Sequence, residues 1–440
     1  MYKDSLADNM LSKRSPTQTV EIVGGHPLKG VVELSAAKNS ILRLMVASIL
    51  CSERLEIRPY PDSMLDADIL QRMLSRLGKS VSFETDAIIF EEPGTLSYEL
   101  KWDDRSIRST VLMMAAFLGR FGRGVVPDPG GCAIGDSDAG ERKIDLHVMI
   151  FEKMGARVWS EGGYLYAEAE NGLTGTDIYL PIRSTGATES GILAGCLAKG
   201  VTTVWGPHVR PEILDLIDML SKMGANIEVF GQERIVIRGV EALRGVTHEC
   251  VSDNVEALSW AVASAVTGGD IEIRNFPTSH LEVPLIFLRE AGIRMFIDGS
   301  TAIVRNSRCF PIDISTGPYP GINSDMQPLF AAFALAAKGE SRIIDLRFPG
   351  RYGYARELER MGVKFTVDGN MLRIHGGAEP LHGARVRALD LRAGIALLIT
   401  ALRVKERTII EDAWQIERGY ERIWDKLRSL GAQIKIGESD

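Results

Sequence analysis

No stretch of this chain stays apolar for the roughly 18 residues that a membrane-spanning helix needs. The segment 41–51 is broken by Arg43, and 393–402 is too short. The first eighteen residues carry Lys3, Asp4, Asp8, Lys13, Arg14 and Pro16 where a secretory signal would have a continuous apolar core, so 1–18 reads as a loose N-terminal arm. Cysteine is scarce. Cys51, Cys132, Cys196, Cys250 and Cys309 lie far apart with no CxxC pair, which argues against a zinc knuckle and against a disulfide framework. Excess positive charge is missing too: 51 Lys plus Arg against 58 Asp plus Glu leave a formal charge of -7, and a nucleic-acid binder is not indicated. These absences predict a soluble protein of a reducing cytoplasm, with neither nucleic acid nor membrane as a partner.

What the chain does have is a repeat. A length of 440 residues exceeds one ordinary core, and the phrase "apolar helix end, Gly, strand" recurs six times. It closes on Gly78, Gly155, Gly224, Gly292, Gly362 and Gly431, at intervals of 77, 69, 68, 70 and 69 residues. Each glycine follows a charged last turn and precedes alternating residues such as Asn226-Ile227-Glu228-Val229, so it reads as a helix terminator leading into a strand. Upstream of each lies a second helix, apolar on more than one face, at 38–51, 108–120, 186–199, 254–267, 325–338 and 391–403. Six units of about seventy residues divide most simply into two domains of three with a cleft between them. A solenoid would demand a shorter and stricter consensus.

A polar cluster opens every buried helix: Lys38-Asn39-Ser40, Arg108-Ser109-Thr110, Ser184-Thr185-Gly186, Asp253-Asn254, Asn323-Ser324-Asp325 and Asp390-Leu391-Arg392. Taken singly, each is an N-cap. Taken together under pseudo-symmetry, they present helix N-termini to one surface, which attracts anions. Lys38, Arg108, Arg142 and Arg392 at apolar helix boundaries are expensive unless a phosphate or carboxylate meets them. Asp325 is a carboxylate in the same kind of position, either a cap or a base. The longest repeat interval holds Pro127-Asp128-Pro129-Gly130-Gly131-Cys132-Ala133-Ile134-Gly135, where Cys132 is either a small buried hydrophobe in a turn or a reactive thiol.

Several motifs together resemble the enolpyruvyl transferase family, on its UDP-N-acetylglucosamine 1-carboxyvinyltransferase side. They are Leu28-Lys29-Gly30 with Ala37-Lys38-Asn39, the Cys132 loop with Asp145-Leu146-His147, Gly186-Ala187-Thr188, Ser324-Asp325-Met326-Gln327, Asp390-Leu391-Arg392-Ala393 and Arg418-Gly419-Tyr420-Glu421-Arg422-Ile423. The resemblance spans about residues 19–437. It implies an α/β fold of two inside-out barrel domains, each of three repeats: residues 19–36 plus 246–440 in one, and 37–245, with the Cys132 loop, in the other. It implies transfer of the enolpyruvyl group of phosphoenolpyruvate to a hydroxyl of a uridine nucleotide, without metal or redox cofactor. Lys38, Arg108, Arg142 and Arg392 would hold phosphoenolpyruvate. Asn39, Arg142, Asp145, Ser184, Thr185, Gly186, Asp325, Arg347 and Arg351 would hold or line the acceptor site. Cys132, Asp325 and Lys38 would be catalytic, Cys132 as general acid and Asp325 as base.

Departures from the family pattern cluster on the acceptor side. About five extra residues with Asp136, Asp138 and Glu141 lengthen the loop, Arg43 replaces a proline, Arg210 stands where an acidic residue precedes Pro211, with His208 nearby, and Arg347 replaces a small apolar residue. Arg43, Arg210 and Arg347 would suit a terminal phosphate dianion, as in enolpyruvyl transfer to uridine monophosphate in nucleoside-antibiotic biosynthesis. UDP-N-acetylglucosamine, accepting on its sugar 3-hydroxyl as in peptidoglycan synthesis, is the first expectation. A non-catalytic repeat scaffold is the remaining alternative.

Overall fold

The computed structural model describes residues 18–130, 143–377 and 380–437; Cys132 and Arg142 lie outside them. The six repeat glycines show why helix passes to strand where it does. All six have φ between 89° and 112°, a left-handed backbone that costs a residue with a Cβ about 1–2 kcal/mol. At Gly224 the glycine N–H donates to Ser221 O at 3.0 Å and the next N–H, of Ala225, reaches back to Leu220 O at 2.9 Å. The same pair of bonds recurs at the other five. Orphan carbonyls of the last helical turn are thereby satisfied, and the chain is turned into a strand.

Among the described residues the strands form six sheets, five of four strands and one of three, none closing on itself. One order repeats. Asp313–Ser315 runs parallel to Gly339–Ile344, which pairs antiparallel with Met371–Gly376, which pairs antiparallel with Phe365–Asp368. In the last repeat the hairpin is completed by the first strand of the chain: Thr19–Val23 lies between Arg407–Glu411 and Gln433–Gly437, antiparallel to both. Lys29–Glu33 pairs parallel to Asp270–Arg274.

Buried side chains gather in two clusters, one drawn from residues 36–250 and one from 20–34 with 255–430. The strand Thr247–Glu249 pairs with Leu55–Arg58, and the first cluster includes residues as far as Cys250. Within the clusters the six apolar helices are central. Thr110–Phe121 packs on Thr185–Gly195, while Asn254–Thr267, Gln327–Ala334 and Leu391–Arg403 pack on one another. Every residue of Asn254–Thr267 except Thr267 is buried, which is why these segments carry no polar stripe. Among the described residues no helix is long and apolar enough to cross a membrane.

Candidate active site

The two cores meet at the starts of the inner helices. Where the chain crosses between them, Ala37 N–H donates to Val251 O at 2.8 Å, and Ala36 bridges to Ser252. Asp253 stands on this crossing. Its Oδ1 accepts from Val255 N–H at 2.8 Å and Glu256 N–H at 2.9 Å, capping Asn254–Thr267, and its Oδ2 accepts from Lys38 N–H at 2.9 Å. One carboxylate thus serves the first turns of helices in both cores. Burial raises its pKa, and the Arg392 charge opposes the rise.

Three of the six expected caps are real. Ser184 accepts from Ala187 N–H at 3.4 Å, Asp253 as above, and Asp390 from Arg392 N–H at 2.7 Å and Ala393 N–H at 3.1 Å. The other three helices follow Ala37, Ser109 and Met326, which make no side-chain cap bond.

Lys38 Nζ lies 2.9 Å from Asp66 Oδ2. Arg418, from the other core, brings Nε to 3.0 Å from Asp66 Oδ1 and Nη2 to 3.3 Å from Oδ2. Burial pushes the Asp66 carboxyl up, but the Lys38 and Arg418 charges outweigh it and hold the group below the ordinary carboxylate range. Asn39 is half-buried beside Lys38. Sequence reasoning missed Asp66. It sits in the first turn of Leu65–Leu77, where an acidic residue reads merely as a complement to the helix dipole.

Asp325 is held by two guanidiniums, Arg351 Nη1 at 3.3 Å from Oδ1 and Arg392 Nη2 at 3.5 Å from Oδ2. Its side chain keeps 30% of its exposure while Arg351 and Arg392 keep 8% and 4%, so the carboxylate remains open to a ligand and the cations buttress it. Arg392 Nη1 also lies 3.5 Å from Tyr420 Oη, which is 2.7 Å from Ser259 Oγ. Burial pushes the Tyr420 phenol up to about 12. Arg210 of the other core feels the Asp325 charge.

Arg108 Nη2 donates to Lys143 O at 2.7 Å, which ties it to the edge of the segment carrying Cys132 and Arg142. Asp145 opens the helix Asp145–Lys153, and its charge reaches Arg347 of the other core. Thr185 Oγ1 is 2.9 Å from His208 Nδ1. Gly186 is required sterically: a Cβ there would stand 2.9 Å from Cε1 and 3.1 Å from Nε2 of His147, a ring held by Ser190 Oγ at 2.8 Å.

Arg43 and Arg210, which the sequence offers to a phosphate dianion, each have a carboxylate partner. Arg43 Nε pairs with Glu189 at 2.8 Å, and Arg210 makes a two-pronged contact with Glu212, both bonds 2.7 Å. Glu189 and Glu212 are themselves buried, and cations that leave water this far are stable only when already paired. Of the described cysteines, Cys51, Cys196 and Cys250 are buried and Cys309 partly so. Burial pushes Cys196 up to about 12 and Cys309 to about 11, which leaves them poor nucleophiles.

Among the described residues, a mixed α/β fold of six like sheets brings cations and the partly open Asp325 carboxylate together where two cores meet, and comparison with known proteins gives the class. The chain belongs to the EPSP synthase (3-phosphoshikimate 1-carboxyvinyltransferase) family, whose model matches residues 22–427. A UDP-N-acetylglucosamine 1-carboxyvinyltransferase of Gluconacetobacter diazotrophicus is 38% identical over 94% of this chain and 98% of its own length. One of Caulobacter vibrioides is 36% identical over 96% and 98%. The fold is shared with the enolpyruvyl transferase NikO from Streptomyces tendae, with a TM-score of 0.85 at 24% identity, over 96% of this chain and 99% of that one. The chain is an enzyme of the enolpyruvyl (1-carboxyvinyl) transferase class.

Proposed function

We propose that this enzyme moves the enolpyruvyl group of phosphoenolpyruvate to the sugar 3-hydroxyl of UDP-N-acetylglucosamine, releasing phosphate. The observation that carries the reading is Asp325, open to the space between the cores and backed by Arg351 and Arg392, in a chain 36–38% identical over nearly its whole length to enzymes of that name. Engagement of Arg43 and Arg210 by Glu189 and Glu212 removes most of the support for uridine monophosphate as acceptor.

Lys38, Arg108, Arg142 and Arg392 supply positive charge to the phosphate and carboxylate of phosphoenolpyruvate. Cys132 protonates the methylene carbon, which makes C2 electrophilic. The acceptor hydroxyl adds to C2 as Asp325 takes its proton. The ketal then loses a proton from the new methyl group and expels phosphate, restoring the vinyl double bond. Asn39, Asp145, Ser184, Thr185, Gly186, Arg347 and Arg351 line the acceptor side. Each set of three sheets, with its helices inside, is taken as one inside-out barrel domain, the N-terminal strands belonging with the second half of the chain. Phosphate release from phosphoenolpyruvate with UDP-N-acetylglucosamine, uridine monophosphate and shikimate 3-phosphate in turn is the test. Release with the first is expected. Release with uridine monophosphate alone would overturn the acceptor, and release with none would overturn the reaction.

A further inference from the structure

One neutral ring between the cores is left unused by this chemistry. His208 is 8% exposed. Its Nε2 lies 3.0 Å from the backbone N of Tyr319 in the other core, and its Nδ1 2.9 Å from Thr185 Oγ1. A backbone N–H can only donate, so Nε2 is the bare nitrogen, Nδ1 carries the proton, and Thr185 Oγ1 accepts it. The Thr185 hydroxyl then has its own proton to give elsewhere. His208 N–H donates to Thr188 Oγ1 at 3.0 Å, which anchors the histidine to the same helix start. Tyr319 is pinned from its far end, Oη to Ser279 O at 3.2 Å, and lies six residues before Asp325 on one connecting segment.

We propose that His208 is a positioning residue for the acceptor, its neutral ring holding the helix start that carries Ser184, Thr185 and Gly186 in one core against the Asp325 segment of the other. The proposal rests on the acceptor reading of those residues. Protonation would put a second N–H on Nε2, facing the Tyr319 N–H, and break the bridge. The surroundings oppose protonation, burial most of all, then Arg210 on the same segment, with Arg183 just ahead of Ser184 and Arg347 from the other core; only Glu212 favours it, and the imidazole is pushed down to about 4. The remaining charges near the bridge are Glu189, paired with Arg43, and Glu282, whose charge reaches Tyr319.

Two variants separate positioning from bulk. His208→Phe fills the space without either bond. His208→Gln keeps an oxygen for the Tyr319 N–H and an amide N–H for Thr185, and does not titrate. In steady-state kinetics His208→Phe is expected to raise acceptor KM about tenfold, the worth of one hydrogen bond, with phosphoenolpyruvate KM unchanged within about twofold. His208→Gln should restore acceptor KM to within about threefold of wild type and stay flat as pH falls toward 4, where the wild-type value climbs as the bridged imidazole takes up its proton. Hydrogen exchange at the Tyr319 amide needs no turnover: slow in wild type and His208→Gln, at least about tenfold faster in His208→Phe. Unchanged acceptor KM in His208→Phe, fast Tyr319 exchange in wild type, or equal losses in both variants would overturn the proposal. If no acceptor supports phosphate release, the reaction fails on its own account and the exchange experiment still decides the role of His208.

Discussion

Asp325 is the residue on which the chemistry turns, because it alone in its cluster combines negative charge with an open face. Asp325→Asn keeps size and loses the proton acceptor, so acceptor binding should persist, within about threefold by calorimetry, while kcat falls by about 10²–10⁴-fold. An unchanged kcat removes Asp325 as base. Cys132 is expected to be alkylated by fosfomycin, as the family resemblance implies, and Cys132→Ala to abolish turnover; mass spectrometry of the treated protein and phosphate release check the two parts. Asp66 belongs to a different class of residue. Removing it takes the shared carboxylate away from Lys38 and Arg418, so Asp66→Ala should lose about 3–5 kcal/mol in denaturant unfolding.

At the scale of the element, the six terminating glycines do the same work with different surroundings. Gly224 has open space where a Cβ would sit, so Gly224→Ala pays only for its left-handed backbone, about 1–2 kcal/mol in unfolding free energy, with kinetic constants unchanged. Gly186 is the reverse case, its cost lying in the contact with His147. The positions of the six inner helices were legible because a helix buried all round is apolar all round. Their caps were half legible. Asp390 and Ser184 bond the turn that follows them, as local chemistry dictates, whereas Lys38 receives its partner Asp253 from across the chain, a contact that no window of neighbouring residues contains.

Among the described residues, specific side-chain contacts join the two cores. At one end Arg418–Asp66 and the Arg422–Asp62 pair join them, with the Arg105 guanidinium 3.7 Å over the Trp414 ring. At the other stands the His208–Tyr319 bond. The sign of its pH dependence follows from the depressed value of His208, about 4 against an ordinary 6.5. The open or unfolded protein binds the proton more readily, so the stabilisation is complete above about pH 6.5 and is lost as pH falls toward 4. Wild type should therefore lose more stability than His208→Gln over that interval in denaturant titrations; parallel curves would exclude the linkage.

Periodicity, terminating glycines and apolar helices are properties of short windows, and for that reason the amino-acid sequence by itself determined the sixfold repeat, the helix positions and the run of cationic helix starts. Pairing is not local. That Arg43 is taken by Glu189, that Asp66 binds Lys38 and Arg418 together, and that His208 reaches Tyr319 were decided only by the tertiary structure, whereas Arg210 and Glu212, two residues apart, are a local pair. A buried charge must find its counter-charge wherever packing brings one, and most of these partners are more than a hundred residues apart in the chain.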